Sequence, residues 1–408
     1  MICRVKSSAL KNTGSALSQN QLEKILDNIA ACIPKNFDQV KNFTVHDGYL
    51  GLSLFYCYYA RYTDQDEFLA EAARCLNLGL ELIDPSFYTR EYQNDSYDYR
   101  LASLGAFFRQ VNSNGFLHME QSGFLDNLDE ILVSLVRVKI KQNDYSRFSG
   151  ALATGHYFYH ADHNNPWRTR ILEEIVSGLV NSSLKDKNGD LYWTSPRNRE
   201  KIYFGPHGSA MNITFLALAL KENIGGEACR ATLTGAVRFV IKHLANQKDG
   251  LIPIFMGAPA GPTQFSQCYG DLGIAYALLL AAGVLNDQAI RLKADMVLTC
   301  CLNRQHEEGH TPDAGITYGA AGVSQLFGKI AAISNREKEC KAAEEYWILQ
   351  IPKYAIYDPE FAGFRSSLTQ APPVLNISYG WGIAGIGISL MRYLKPELPN
   401  LDGFSIYL

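Results

Sequence analysis

Four short stretches carry side chains that could do chemistry. Gly205-Pro206-His207-Gly208 sets an imidazole in a glycine turn, and an imidazole with its ordinary pKa of ~6.5 is suited to passing protons near neutral pH. Gln267-Cys268-Tyr269-Gly270-Asp271 brings a thiol, a phenol and a carboxylate to what reads as a helix start. The thiol is either a soft metal donor or a small buried residue, and the phenol either assists proton transfer or fills a cavity mouth. Asp271 reads as an N-terminal cap, because a carboxylate there accepts backbone N–H bonds and complements the helix dipole. His306 to His310, HEEGH, matches the zincin pattern, in which imidazoles at i and i+4 share a helix face and the glutamate activates metal-bound water. Gly309 and Pro312 oppose the continuous helix this needs, which leaves His306 or His310 as side chains that could join Cys268 in a different metal site. Finally His310 to Gly322, HTPDAGITYGAAG, is a turn of small residues that lets backbone approach backbone.

The elements that must position these groups repeat along the chain. A glycine turn feeds an apolar helix, and an amphipathic helix follows. Equivalent glycines fall at Gly48, Gly150, Gly208, Gly270, Gly319 and Gly382. The first interval is close to double the others, which predicts a further unit without a clear turn signature within residues 92–140. Stretches such as EFLAEAARCLNLGLELI and TRILEEIVSGLVNSSL carry apolar residues at i, i+3, i+4 and i+7 and read as half-exposed outer helices. GIAYALLLAA is apolar on nearly every face and reads as an inner helix. Inner apolar helices alternating with outer amphipathic ones predict an all-α fold, an α/α toroid of about seven helical hairpins. In it, glycine at each inner N-terminus permits close packing and is expected to leave backbone N–H groups facing the central cavity. No Pro- or Ser-rich linker divides the chain, so residues 1–408 read as one domain.

Composition narrows the partners. With 47% hydrophobic and 19% charged residues and a formal charge of -3, the chain can bury a large core and lacks the basic surface of a nucleic-acid binder. The longest apolar run, Ile274 to Leu285, falls short of the ~18 residues of a membrane span, and the N-terminus has no apolar signal stretch. Nine scattered cysteines, mostly in apolar helical patterns, read as free buried thiols in a reducing compartment, and the expected location is cytoplasmic.

The ordered motifs GYLG, FSG, PHG, QCYGDLGIA, DAGITYGAAG and GWGIAGIGISLMRYL together resemble the lanthionine synthetase C family over nearly the whole chain. CYGDLGIA is similar to that family's Trp-Cys-Tyr-Gly-Asp-x-Gly motif, and GIAGIGISL to its closing Gly-x-Ala-Gly-Ile-Gly. The resemblance implies a toroid with seven inner helices and a reaction in which cysteine thiols of a precursor peptide add to dehydroalanine or dehydrobutyrine, closing thioether rings. It implies a zinc ion held by two cysteines and a histidine, which makes thiolate at neutral pH. Residue by residue, Cys268 matches the first ligand, while Thr317 and Tyr318 stand where the adjacent Cys-His ligand pair belongs. His207 matches the catalytic histidine and Tyr269 the tyrosine of the same site. Ser146 aligns with an expected aspartate, with Asp144 two residues away as its substitute, and Gln264 aligns with an expected arginine. Asp144, Gln264 and Asp271 are then candidates for the cavity's peptide contacts.

Two versions of that function stay open: an active zinc cyclase, and a metal-free relative that binds a precursor peptide or a partner enzyme such as a dehydratase. A separate reading is a sugar-active enzyme, since α/α toroids also carry glycosidases, epimerases and lyases. That reading needs two facing carboxylates about 5–9 Å apart, and a candidate acid such as Asp249 has no partner the sequence identifies.

Overall fold

The computed structural model describes residues 19–83, 96–117, 123–195, 201–244, 250–258, 263–356, 359–368 and 373–407. Among them the inner helices are α2 (Tyr49–Thr63), α4 (Tyr97–Ser113), α6 (Ala151–Tyr159), α8 (Ser209–Lys221), α10 (Asp271–Leu285), α12 (Ala320–Ala331) and α14 (Ile383–Leu394). The outer ones are α1 (Gln19–Cys32), α3 (Glu67–Glu81), α5 (Phe124–Lys141), α7 (Arg168–Ser182), α9 (Gly226–Lys242), α11 (Gln288–Leu302) and α13 (Glu337–Gln350). A two-stranded hairpin, β1 (Leu184–Lys185) with β2 (Leu191–Tyr192), is the one sheet among the described residues.

This is the predicted toroid. Inner helices touch in sequence around the ring, α14 returning to α2; between α6 and α8, Gly155 lies against the Phe215 ring. Every residue of α10 from Asp271 to Ala282 is buried, whereas α3 buries Ala72, Cys75, Leu76 and Gly79 on one stripe. Six inner helices are each followed by their outer partner, but α14 is covered by α1, whose Leu22, Leu26 and Ile29 supply the buried stripe. The first helix thus closes the ring behind the last. The doubled interval holds α4 and α5, and α4 begins on Ser96, whose hydroxyl accepts from Tyr99 N–H. A serine cap in place of glycine is why that turn has no repeat signature.

The other six inner helices have the expected glycine at the N-cap. A Cβ on Gly48, Gly208, Gly270 or Gly382 would lie 2.1 Å from the carbonyl oxygen of Asn42, Tyr203, Gln264 or Asn376 respectively. The incoming loop doubles back onto the helix start, and only hydrogen fits between. The same geometry corrects the expectation that the first N–H groups face the cavity. Tyr49 N donates to Asn42 O, Ala151 N to Asp144 O, Ser209 N to Tyr203 O and Ala320 N to Asp313 O, so these four turns satisfy the first N–H of their own helices.

The chain's last described residues run among the inner helices. Ser405, Ile406 and Tyr407 are buried, with Arg147 donating to Ser405 O and Ile406 O and Lys329 Nζ to Tyr407 O. The eight described cysteines are all free, and seven are buried. No described helix is long and apolar enough to cross a membrane.

Candidate functional site

The glycine turns bring one ring side chain apiece to the same end of the toroid, one or two residues before the N-cap glycine: His46, Phe148, His207, Tyr269, Tyr318 and Trp381. Together these rings form a closed collar. Centroid separations run 5.4 Å from Phe148 to His207, 6.2 Å to Tyr269, 5.8 Å to Tyr318, 5.0 Å to Trp381, 5.2 Å to His46 and 6.5 Å back to Phe148. Tyr269 and Tyr318 stack, while Trp381 meets both of its neighbours edge to face. All six rings are half-buried, whereas Asp47, Cys268 and Thr317 beneath them are buried. A molecule reaching the mouth therefore meets aromatic faces and edges first. Of the collar, the sequence singled out His207, Tyr269 and Tyr318; it missed His46, Phe148 and Trp381, although a ring just before each repeat glycine was there to be read.

Two polar groups lie in the collar's floor. Cys268 Sγ is 3.7 Å from His207 Nε2. Burial pushes the Cys268 thiol up to about 12, against a smaller opposing pull from its hydrogen bond with Tyr269, so at neutral pH the sulfur keeps its proton. Burial also raises Tyr269 to about 12 and carries Tyr318 still higher. On the other side, Thr317 Oγ1 is 2.8 Å from Gly380 O and 2.9 Å from His46 Nε2. His46 Nδ1 is 2.6 Å from Asp47 Oδ1, which also accepts from Trp381 Nε1 at 2.8 Å.

The remaining candidates sort by their contacts. Gln264, half-buried, donates to Ser266 Oγ. Asp144 shapes the turn before α6, where its Oδ1 accepts from Ser146 N–H and Lys139 Nζ lies 4.0 Å from its Oδ2. As a helix cap Asp271 is a correction: Gly270 is the N-cap, and the Asp271 carboxylate, 1% exposed, accepts from Leu251 N and Ile252 N instead of from its own helix. HEEGH is not a zincin helix, as the sequence anticipated. His306–Glu308 is a single 3-10 turn and Gly309 is left-handed at φ 70°. His310 Nδ1 is 2.8 Å from Arg304 and the His306 ring packs on Tyr354, so the contacts of neither ring include Cys268. Beside the collar, a cavity of about 200 Å³ runs from His207 past Asn212, Ser146, Tyr145 and Trp193. Asp249 lies outside the described residues.

The family model for lanthionine synthetase C-like proteins matches residues 39–406. The chain belongs to the lanthionine synthetase C-like family. Among solved structures it is similar to nisin cyclase, with a TM-score of 0.65 over 95% of each chain at 15% sequence identity; at that identity the likeness speaks for the toroid. A comparison with curated proteins finds no match. The positions that the sequence resemblance singled out hold a thiol, an imidazole and a phenol at 268, 207 and 269, and a hydroxyl and a phenol at 317 and 318.

Proposed function

We propose that this protein is a metal-free member of its family that binds a precursor peptide at the aromatic mouth of a single toroidal domain and does not close thioether rings through a zinc-bound thiolate. The observation that carries the reading is the state of Thr317. Its hydroxyl is engaged by Gly380 O and His46 Nε2, and neither it nor a stacked, protonated Tyr318 phenol is a usual zinc donor. A catalytic zinc site takes three protein donors; here Cys268 and His207, 3.7 Å apart, are two. The donor chemistry therefore does not fit zinc, and no step is routed through it.

Binding is supported by the collar. Six half-buried rings supply large apolar faces with little rotamer entropy to lose, the composition that dominates peptide and protein contacts. The adjoining cavity adds amide and hydroxyl groups for main-chain contacts. A dehydratase partner and a cytoplasmic location belong to the same proposal. The sugar-active alternative gains no support: Asp47 is taken by His46 and Trp381, and Asp313 accepts from Gly315 N, Ser367 N and Ser367 Oγ.

The test uses a synthetic peptide containing cysteine and dehydroalanine, with anisotropy reporting binding and thiol alkylation followed by mass measurement reporting ring closure. The expected result is saturable binding, weakened at least tenfold by Trp381→Ala, with the thiols still alkylated whether or not zinc is added. Zinc-dependent loss of thiols would overturn the proposal.

A further inference from the structure

We infer that the hydrogen-bonded group Asp47–His46–Thr317–Gly380 replaces the metal as the fastening of the glycine turn before α12. The inference rests on the reading that Thr317 and Tyr318 hold no zinc, and its test separates the two. A metal shared by positions 268, 317 and 318 would cross-link the turn before α10 to the turn before α12. In this chain the turn before α12 is fastened instead to the turns before α2 and α14, across the seam where the ring closes.

The bonds form a circuit. Thr317 N–H and its hydroxyl oxygen lie 3.0 and 2.8 Å from Gly380 O. Gly380 N–H donates to His46 O at 2.8 Å, and His46 Nε2 returns to Thr317 Oγ1 at 2.9 Å. Asp47 fixes the far side of the ring at 2.6 Å, and the same carboxylate oxygen fixes Trp381. Gly380 makes the room, because a Cβ there would lie 2.2 Å from His46 Nε2. Asp47 and Thr317 are 6% and 2% exposed, so these bonds compete little with water and an unmade one would leave a buried polar group.

Two proton arrangements satisfy the circuit. With His46 neutral, Nδ1–H donates to Asp47 and the Thr317 hydroxyl donates to Nε2. With both ring nitrogens protonated, Nε2–H donates to Thr317 Oγ1 and the hydroxyl turns to Gly380 O. The second differs from the first by one added proton and the rotation of one hydroxyl, and Gly380 O accepts from Thr317 N–H in both. The circuit also sets the orientation of His46 and Trp381, two of the six collar rings, so the mouth keeps its shape with no ion to organise it.

Hydrogen–deuterium exchange on the full chain tests this at the amides of Thr317 and Gly380. His46→Phe keeps a ring against Trp381 and removes both nitrogens; Thr317→Val keeps the side-chain shape and removes the hydroxyl. Each is expected to raise exchange at those two amides at least tenfold while leaving α8 unchanged, and His46→Gln, which restores a polar end, is expected to recover part of the protection. Should His46→Phe fail to fold, Thr317→Val carries the test alone. EDTA is expected to leave wild-type exchange as it was. Exchange in Thr317→Val equal to wild type overturns the fastening role, whereas EDTA-accelerated exchange in wild type overturns the metal-free reading beneath it.

Discussion

Asp271 offers a direct check on which residues of the cysteine motif serve the scaffold. Its carboxylate accepts from Leu251 N at 2.9 and 3.0 Å and from Ile252 N at 2.9 Å, and Arg304 approaches to 4.0 Å. Leu251 and Ile252 are 6% and 2% exposed, so water cannot take over when the acceptor goes. Asp271→Ala orphans two buried N–H groups at ~1–3 kcal/mol each and removes a carboxylate from a guanidinium that is itself buried. Arg304 keeps its bond to Glu308, which limits the second cost, and the sum is a destabilisation of roughly 3–5 kcal/mol. Asp271→Asn keeps the oxygen that accepts from both N–H groups but turns an NH₂ toward Leu251 N and Arg304, so it should lose about half as much. Denaturant melts of the three proteins at pH 7 measure this, with peptide anisotropy run below each midpoint. The expected pattern is lost stability at unchanged affinity. If Asp271→Ala melts within about 1 kcal/mol of wild type yet loses peptide affinity, Asp271 is a binding residue and its assignment to the scaffold is wrong.

Two further predictions concern the interior. A Cβ on Gly273 would lie 2.0 Å from the Tyr407 hydroxyl oxygen, so Gly273→Ala should cost ~1–3 kcal/mol by overpacking. Adding Tyr407→Phe, which removes that oxygen, should return part of it; strictly additive losses in the double-mutant cycle would refute the contact. His156 is 3% exposed, and burial, with the Arg147 charge next, depresses its pKa well below the usual imidazole range. The folded state then refuses a proton that the unfolded chain accepts below ~6.5, so this contribution is fully present above that pH and is lost on acidification by up to ~1.4 kcal/mol per pH unit. His156→Gln should flatten the stability profile between about pH 6.5 and 5 by that one-proton slope; parallel profiles for variant and wild type would contradict it.

The toroid was legible in the sequence because its six glycines answer to one local problem, an incoming loop folded back to where a Cβ would be. The seventh turn was legible only as a gap, since Ser96 solves the same capping problem with a side chain. The pairing of α1 with α14 was not legible, because it joins the two ends of the chain and leaves no spacing to measure. Asp271 misled for a related reason. A carboxylate at a helix start has a strong local explanation, and its actual partners lie some 20 residues back in a loop. His46 and Asp47 sit beside a recognised glycine, yet nothing local marks them; their meaning comes from Thr317, 271 positions along the chain. Thr317 itself stood out only against the family resemblance, and the fold was needed to show that its hydroxyl meets His46 and Gly380.

Zinc stoichiometry, measured by elemental analysis on full-length protein after gel filtration in added zinc, tests the central claim most directly. Wild type should carry no stoichiometric zinc, and Thr317→Cys with Tyr318→His should carry one ion per chain that is lost again on adding Cys268→Ala. One zinc per chain in wild type, removed by Cys268→Ala, would contradict the account.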